Sequence, residues 1–351
     1  MTGRIIHHAR TDEGVFMRLD AFTHLFPQRY FERMQELIPN KGPIKRWLNI
    51  PTLWNVEERL RMIDSFGDYQ QVLSNSMPPI EVVAGPETSP ELARIANDGF
   101  AELCAKYPDH FPTFIASLPM NNPDAAVEEI DRAVTQLGAR GVQIFSNVKG
   151  APLDRPEYFP IFERMVHHDL PLWLHPVRAA DFPDYKDETK SKYEIWWTFG
   201  WPYETSAAMA HIVFSKMFEK LPTMKIITHH MGAMIPFFEG RVGPGWDQLG
   251  TRTADEDYEG LLKSMKKRPL DYFKMFYADT ALFGSVSGTK CGLDFFGVDQ
   301  VVFASDCPFD PEGGSMFIRE TLKVLEDLGL PKADLDKIMG GNARRLMKMD
   351  A

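Results

Sequence analysis

The chain has 351 residues, of which 44% are hydrophobic and 25% are charged, a composition typical of a folded globular protein and not of a disordered or fibrous one. Asp and Glu outnumber Lys and Arg by 49 to 39, for a formal net charge of −10. The basic residues form no long stripe that would bind a phosphate backbone, so we expect no nucleic-acid partner.

Residues 1–14 are polar and lack the apolar core of a signal peptide. The sequence also contains no run of about 18 apolar residues, which is the length that a membrane-spanning helix needs. The three cysteines, Cys104, Cys291 and Cys307, contain no Cys-x-x-Cys pair, which indicates neither a disulfide framework nor a zinc knuckle. These features predict a cytoplasmic protein without a membrane partner, built from a leader (1–14) and a single domain (15–351).

Eight short β-rich runs bounded by turn signals predict strands, and stretches with helical spacing separate most of them. The predicted strands, in chain order, are Val15–Ala21, Gln71–Ser74, Thr113–Leu118, Val142–Phe145, Leu170–Leu174, Lys225–Thr228, Met275–Ala278 and Val301–Ala304. The predicted helices include Val56–Phe66, Pro90–Tyr107, Asp124–Leu137, Pro156–His168 and Thr205–Leu221. Several strands are apolar without alternation, which is typical of parallel strands covered on both faces.

These alternations predict an α/β protein with the (β/α)8 TIM-barrel fold, and a doubly wound open sheet is the alternative. Three segments that follow predicted strands exceed ordinary loop length, namely 23–55, 177–204 and the stretch after Met231. Loops that follow the strands of a barrel lie on the face that carries the active site. We therefore expect the extended loops after strands 1, 5 and 6 to shape that site.

Four predicted strands end in titratable residues, which a barrel would bring to one axis. These residues are Asp20 and His24 after strand 1, His175 after strand 5, His229 and His230 after strand 6, and Asp306 after strand 8. Two or three imidazoles with one carboxylate form the ligand set of a zinc or manganese site that keeps positions open for water or substrate. Asp279, after strand 7, would either orient a neighbouring side chain or cap a loop.

Cations and aromatic residues in the long loops are candidates for substrate binding. A guanidinium could hold a substrate carboxylate, although a surface ion pair is the alternative for each. The candidate cations are Lys45, Arg46, Arg59 and Arg178. Trp196 belongs to a dense cluster with Trp197, Trp201 and Tyr203, which would form a lid or a subunit contact.

The motifs around these residues are LDAFTHLFP, LPLWLHP, IITHHMGAMIPFFEGRV and VVFASDCPFDP. In this order and spacing they resemble the amidohydrolase-2 branch of the amidohydrolase superfamily, which includes aminocarboxymuconate-semialdehyde decarboxylase and γ-resorcylate decarboxylase. The resemblance runs almost the full length of the chain and implies a TIM barrel.

The resemblance also implies roles for individual residues. It implies one divalent metal ion, zinc or manganese, bound by His24, His175 and Asp306. It implies His230 as the proton-transfer residue, with the adjacent His229 as the alternative, and Asp306 as a second catalytic group. Phe22 stands two positions before His24, where the family usually carries His or Glu, so the site has at most three obvious protein ligands.

The implied activity is metal-dependent, non-oxidative decarboxylation of a small aromatic or unsaturated carboxylic acid. Metal-dependent hydrolysis of a small ester, lactone or amide at the same site is the alternative, and a noncatalytic binding or assembly protein is a third interpretation. The expected partners are a small carboxylate substrate and, by resemblance, a second copy of the chain in a homodimer or larger homo-oligomer.

Overall fold

The computed structural model describes residues 17–349, apart from the side chain of Pro43, so the predicted leader lies outside the described residues. Strands form in all eight predicted regions, and we number them β1 to β8. They are β1 (Arg18–His24), β2 (Tyr69–Ser74), β3 (Ala116–Ser117), β4 (Val142–Phe145), β5 (Leu172–His175), β6 (Ile226–Thr228), β7 (Tyr277–Asp279) and β8 (Val301–Val302). A small antiparallel hairpin, Asn147–Val148 with Ala151–Pro152, follows β4.

The strands close into a parallel barrel. One ladder joins β3 to β8 in sequence order, and β1 pairs with β2. A parallel bridge between Leu73 and Phe114 joins β2 to the segment that leads into β3. On the other side, Ala21 N donates to Phe303 O at 2.8 Å, which joins β1 to the end of β8. The predicted (β/α)8 barrel is therefore confirmed, and the open-sheet alternative is wrong because the first and last strands are joined.

Helices connect the strands and cover the outside of the barrel. The α-helices are Gln28–Leu37, Lys45–Leu48, Val56–Asp64, Ile80–Val83, Ser89–Lys106, Pro123–Gln136, Phe159–His168, Ile195–Thr198, Gly200–Phe214, Met217–Lys220, Tyr258–Ser264, Pro269–Phe273, Val286–Phe296, Ser315–Asp327, Lys332–Asp336 and Asn342–Met347. None of them, within residues 17–349, is both long and apolar enough to cross a membrane.

Local chemistry explains several helix boundaries. Asn55 caps the helix Val56–Asp64, which precedes β2, because its side chain accepts hydrogen bonds from Glu57 N and Glu58 N. The predicted continuous helix over Thr205–Leu221 is instead broken between Phe214 and Met217. Lys216 at the break has a φ of 60°, a left-handed conformation that a continuous α-helix does not accommodate.

Two hydrophobic clusters form the core. The larger one packs the helices against the outside of the barrel and includes Leu172, Leu174 and Ile226. The smaller one fills the barrel interior and includes Trp173 and Ile227. Because successive side chains of a strand point to opposite faces, these assignments show which residues beyond each strand face the barrel axis.

Candidate active site and metal centre

Strand register brings four titratable residues to the C-terminal mouth of the barrel. Each stands two positions after a residue of the interior cluster: His24 after Phe22, His175 after Trp173, His229 after Ile227 and Asp306 after Ala304. Since side chains alternate along a strand, each of these four continues the inward-facing row. All four are buried, so their polar atoms meet in a space enclosed by the barrel.

Asp306 lies at the centre of the histidines. Its Oδ1 is 3.0 Å from His24 Nε2 and 3.4 Å from His229 Nε2, and its Oδ2 is 3.5 Å from His230 Nε2. The imidazole of His230 is 12% exposed, whereas those of His24 and His229 are fully buried. His230 therefore lies on the outer side of Asp306, and His24 and His229 lie on the inner side.

The nitrogen and oxygen atoms that converge here can hold one metal ion. One ligand atom from each of His24, His175 and His229 lies within 4.8 Å of the other two, and the same is true of His229, His230 and Asp306. His24 Nε2, His229 Nε2 and Asp306 Oδ1 are buried and make no hydrogen bond of good geometry within residues 17–349. A buried unpaired polar atom costs about 1–3 kcal/mol, and a cation coordinated by these three atoms would remove that cost.

The far nitrogen of each inner histidine is already bound. His24 Nδ1 lies 2.9 Å from Asn75 O, His175 Nδ1 lies 2.7 Å from Pro176 O, and His229 Nδ1 lies 2.5 Å from Asp279 Oδ2. A carbonyl or carboxylate oxygen accepts only, so each Nδ1 donates, and in the neutral form of each ring Nε2 carries the lone pair. This arrangement orients imidazoles for metal coordination.

Asp279 combines the two roles that the sequence analysis gave as alternatives, orienting a neighbouring side chain and capping a loop. Its Oδ2 accepts from His229 Nδ1, and its Oδ1 accepts from His230 N at 2.9 Å and from Ala281 N at 3.1 Å. It therefore orients His229 and also holds the turn that follows β6.

Burial and charge divide the protonation states of the cluster. Burial disfavours a positive charge on His229, but the carboxylates of Asp279 and Asp306 outweigh it and raise the pKa of His229 to about 10. Burial also disfavours the charged form of Asp306, yet the positive charge of His229 and the close approach of the His24 and His230 imidazoles hold its pKa well below the usual range. Burial and the neighbouring imidazoles lower the pKa of His175. A metal ion entering the cluster would therefore displace the proton of His229.

Backbone strain also marks the mouth of the barrel. His230 and Asp306 have φ values of 57° and 60°, in the left-handed region that non-glycine residues seldom occupy. Such strain costs on the order of 1–3 kcal/mol and concentrates at functional sites.

Aromatic rings surround the histidines. Phe145 and Trp201 lie 5.2 and 5.8 Å from the His175 ring, Phe309 lies 5.5 Å from the His24 ring, and Phe283 lies 5.6 Å from the His230 ring. Phe22 forms the inner wall, 4.8 Å from the His24 ring and 4.9 Å from the His229 ring.

The predicted substrate-binding residues divide into those near the mouth and those elsewhere. Arg46 donates to Phe309 O, and its guanidinium carbon lies 5.9 Å from the Phe309 ring, which places it beside the mouth. Arg178 pairs with Glu204 Oε1 at 3.0 Å. Arg59 is fully buried and donates to His24 O and Cys307 Sγ, so it supports the end of β1 from behind.

The tryptophan nearest the histidines is not the one singled out from the sequence. Trp196 packs against Trp201 with ring centres 5.6 Å apart, and Trp201 is the ring that contacts His175. Because five aromatic residues occur within the eight positions 196–203, spacing alone could not separate them. Asp20 also lies apart from the histidines, because its carboxylate accepts from Tyr69 OH at 2.5 Å and from Ser305 N at 3.0 Å.

A small pocket lined by both polar and apolar side chains lies next to the histidines. Its lining includes Asn75, Ser117, Gln143 and Phe145, of which Phe145 also contacts His175. Asn75 Oδ1, Ser117 Oγ and Gln143 Oε1 are buried and have no hydrogen-bond partner in the part of the chain that the structure describes. Sequence reasoning missed these three residues, which sit in or beside apolar strands and form no recognisable motif.

Fold and site together define a parallel barrel that carries a cluster of histidines and one aspartate able to hold a single metal ion. A family profile described as Amidohydrolase matches residues 23–348. The chain therefore belongs to the amidohydrolase family.

Relatives and solved structures agree with that assignment. The chain is 30% identical over 303 residues to a γ-resorcylate decarboxylase from Rhizobium sp. strain MTP-10005, covering 84% of this chain and 87% of the relative. It is 27% identical over 297 residues to a 2-amino-3-carboxymuconate-6-semialdehyde decarboxylase from Dictyostelium discoideum, covering 85% and 77%. A crystal structure of a dihydroxybenzoic acid decarboxylase from Polaromonas sp. JS666, with bound manganese and the inhibitor 2-nitroresorcinol, superposes with a TM-score of 0.76 at 26% identity, covering 95% and 97%.

Proposed function

We propose that the protein is a metal-dependent, non-oxidative decarboxylase of a small aromatic carboxylic acid. The observation that carries the proposal is the set of buried, unpaired atoms at the barrel mouth, His24 Nε2, His229 Nε2 and Asp306 Oδ1, in a chain whose relatives are named decarboxylases of aromatic or unsaturated acids. The ring of aromatic side chains around the histidines supports an aromatic substrate, because flat rings pack well against one another.

The metal would be held by His24, His175 and Asp306, and two imidazoles with a carboxylate suit both zinc and manganese. Manganese is favoured by the related crystal structure that contains it. A bound divalent ion would polarise oxygen atoms of the substrate.

The residues of the chain would bind and orient the substrate. Phe283, Phe309 and Trp201 would enclose its ring and exclude water, and Arg46 beside the mouth would attract its carboxylate. That attraction is local, because the net charge of −10 repels an anion from the protein as a whole. The unpaired oxygens of Ser117 and Gln143 would accept hydrogen bonds from hydroxyl groups of the ring.

His230 and Asp306 would manage the proton. His230 Nε2 lies 3.5 Å from Asp306 Oδ2 on the outer side of the cluster, where it would face a substrate in the mouth. A proton held between these groups adds to the ring carbon that bears the carboxylate. The bond from that carbon to the carboxylate then breaks, its electron pair restores the aromatic ring, and carbon dioxide leaves. The carboxylate and one proton are thus converted to the unsubstituted ring carbon and carbon dioxide.

The test is incubation of metal-loaded protein with a panel of hydroxybenzoates and related lactones, followed by carbon dioxide release and ultraviolet spectra. We expect carbon dioxide release from at least one hydroxybenzoate, reduced about 100-fold or more in His230→Asn because general acid catalysis contributes about 10²–10⁴-fold. His211→Ala, on a half-exposed helix position paired with Asp154, is the matched control and should retain wild-type turnover.

Incorporation of oxygen from labelled water into a product without carbon dioxide release would instead establish the hydrolase. Absence of any reaction together with a failure to bind zinc or manganese would favour the noncatalytic interpretation. The cytoplasmic location and the homodimer stay predictions, which fractionation of cells and light scattering would test.

A further inference from the structure

We propose that Asn97 is a positioning residue that sets the specificity of the site for ring substituents. Asn97 fixes Ser117 at the end of β3, so that Ser117 Oγ and Gln143 Oε1 form a subsite for one small hydrogen-bond donor of the substrate ring, a hydroxyl or an amino group. The same subsite rejects a methoxy group. This inference rests on the proposed function and deepens it, because it names the substituents that the site accepts and the residue that imposes the choice.

Two neighbouring strands of the barrel build the subsite. Ser117 and Gln143 are paired residues of β3 and β4. Ala116, next to Ser117, and Val142, next to Gln143, belong to the hydrophobic cluster outside the barrel. Since successive side chains of a strand point to opposite faces, Ser117 and Gln143 both point into the barrel and stand beside each other.

The subsite adjoins the metal centre. Asn75 connects the two, because its backbone carbonyl lies 2.9 Å from His24 Nδ1 and the residue lines the same pocket as Ser117 and Gln143. Phe145 lines that pocket as well, and its ring lies 5.2 Å from the ring of His175. A substrate ring held among the histidines would therefore present one edge to the pocket.

The pocket is small and offers hydrogen-bond acceptors. Its free volume of about 10 Å³ is room for about one water-sized group. Ser117 Oγ and Gln143 Oε1 are buried and have no hydrogen-bond partner within residues 17–349. A hydroxyl or amino group fits this space and donates to these oxygens, whereas a methoxy group has no proton to donate and carries an additional methyl group. A site that hydrogen-bonds a substrate hydroxyl can reject an analogue lacking it by about 10⁴–10⁵-fold.

Asn97 fixes Ser117 from outside the barrel. It is fully buried in the helix Ser89–Lys106, and β3 consists of only two residues. Its side chain binds both backbone groups of the second one, because Ser117 N donates to Asn97 Oδ1 at 2.8 Å and Asn97 Nδ2 donates to Ser117 O at 3.0 Å. Loss of this amide would release the end of the strand, and Ser117 Oγ would move with it.

A largely buried ion pair holds the Asn97 amide in this orientation. Asn97 Nδ2 also donates to Glu129 Oε1 at 2.7 Å, and Arg132 donates to the two oxygens of Glu129 at 2.8 and 2.9 Å. A carboxylate only accepts and a backbone N–H only donates, so a single orientation of the amide satisfies both neighbours. The contacts from Arg132 to Ser117 therefore specify one geometry for the subsite.

The experiment compares hydroxybenzoates that differ at one ring position. Each set carries hydrogen, hydroxyl, amino or methoxy at that position, and kcat/KM is measured from carbon dioxide release by the metal-loaded protein. Calorimetric binding of the corresponding phenols, which lack the carboxylate, reports affinity without turnover. We expect one ring position at which the hydroxyl and amino compounds exceed the methoxy compound by at least about 100-fold in kcat/KM and about 10-fold in affinity.

Variants separate positioning from stability. Ser117→Ala removes the hydroxyl and Asn97→Ala releases the backbone of Ser117. Each should lower the hydroxyl-to-methoxy ratio of kcat/KM about 10-fold or more and leave kcat for the hydrogen compound within about threefold of wild type. Asn342→Ala is the matched control, because Asn342 is also buried and donates to Val298 O and Val301 O at 2.7 and 2.8 Å, at the other end of the barrel. It should lower stability and keep the wild-type ratio.

An unchanged ratio in Ser117→Ala would overturn the proposal. This variant removes an oxygen that has no partner among the described residues, so it decides the question even if Asn97→Ala does not fold. An unchanged ratio in folded Asn97→Ala, or an equal loss of selectivity in Asn342→Ala, would also overturn it. The proposed function fails separately. Selective binding of phenols without carbon dioxide release would keep the subsite and reject the decarboxylase. Equal carbon dioxide release from hydroxyl and methoxy compounds at every position would reject the subsite and leave the function standing.

Discussion

Replacing Asp279 with Asn tests how strongly one buried carboxylate organises the site. Asp279 accepts from His229 Nδ1, His230 N and Ala281 N with its two oxygens, whereas Asn has only one accepting oxygen. If the amide oxygen keeps the two backbone donors, the amide NH2 group faces His229 Nδ1. The variant must then either lose that hydrogen bond or move the imidazole proton to Nε2.

The expected effects follow from this choice. Losing one hydrogen bond to a charged group costs about 1.5–3 kcal/mol, so the free energy of unfolding of the metal-free protein should fall by about 2 kcal/mol. A proton on Nε2 blocks its lone pair, and the metal Kd should rise about 10–100-fold. Urea unfolding and competition titration with a metal chelator measure the two quantities.

Asp154→Asn is the matched control, because Asp154 pairs with His211 at 3.0 Å where the side chains are 25% and 51% exposed. An exposed pair contributes about 0–1 kcal/mol, so this variant should change stability little and leave the metal Kd unchanged. Wild-type stability and wild-type metal affinity in Asp279→Asn would refute the reasoning.

Three further predictions concern other parts of the chain. Burial raises the pKa of Asp20 to about 6, above the unfolded value of 3.8. The folded state therefore binds the extra proton between these values, and unfolding free energy should fall by about 3 kcal/mol as pH rises from about 4 to 6. That fall should be absent in Asp20→Asn, and urea titrations across this range would show it. Trp201→Ala should raise KM for the aromatic substrate about 10-fold with a smaller effect on kcat, since an aromatic contact contributes about 0.5–1.5 kcal/mol; equal losses in both constants would contradict a binding role. Gly99→Ala, normally stabilising within a helix, should instead destabilise by about 1–3 kcal/mol in thermal unfolding, because its Cβ would overlap with Pro27 Cβ. Gly138→Ala would not serve as a matched control for Gly99→Ala, because Gly138 has a φ of 82°, which an alanine seldom adopts.

The fold follows closely from local sequence. Apolar strands such as Val142–Phe145, which forms over those same residues, alternate with amphipathic helices, and a parallel sheet requires helical crossovers between its strands. Titratable residues at the ends of strands are also visible in the sequence, because barrel chemistry collects at that end of each strand. The barrel and the small set of residues that could form its site were therefore predictable.

The sequence could not decide which member of each set faces inward. The strand before His229 is Ile226–Thr228, which is buried throughout, so no alternation of polar and apolar residues marks its inner face. Only the packed barrel shows that Ile227, and hence His229, points to the axis. In the same way, it is three-dimensional packing that hides Arg59 behind His24 and puts Trp201, not Trp196, against His175. Composition and spacing determined the barrel and its candidate ligands because both are written in short segments. The roles of neighbouring residues depend on contacts between strands far apart in the chain, which only the tertiary structure decides.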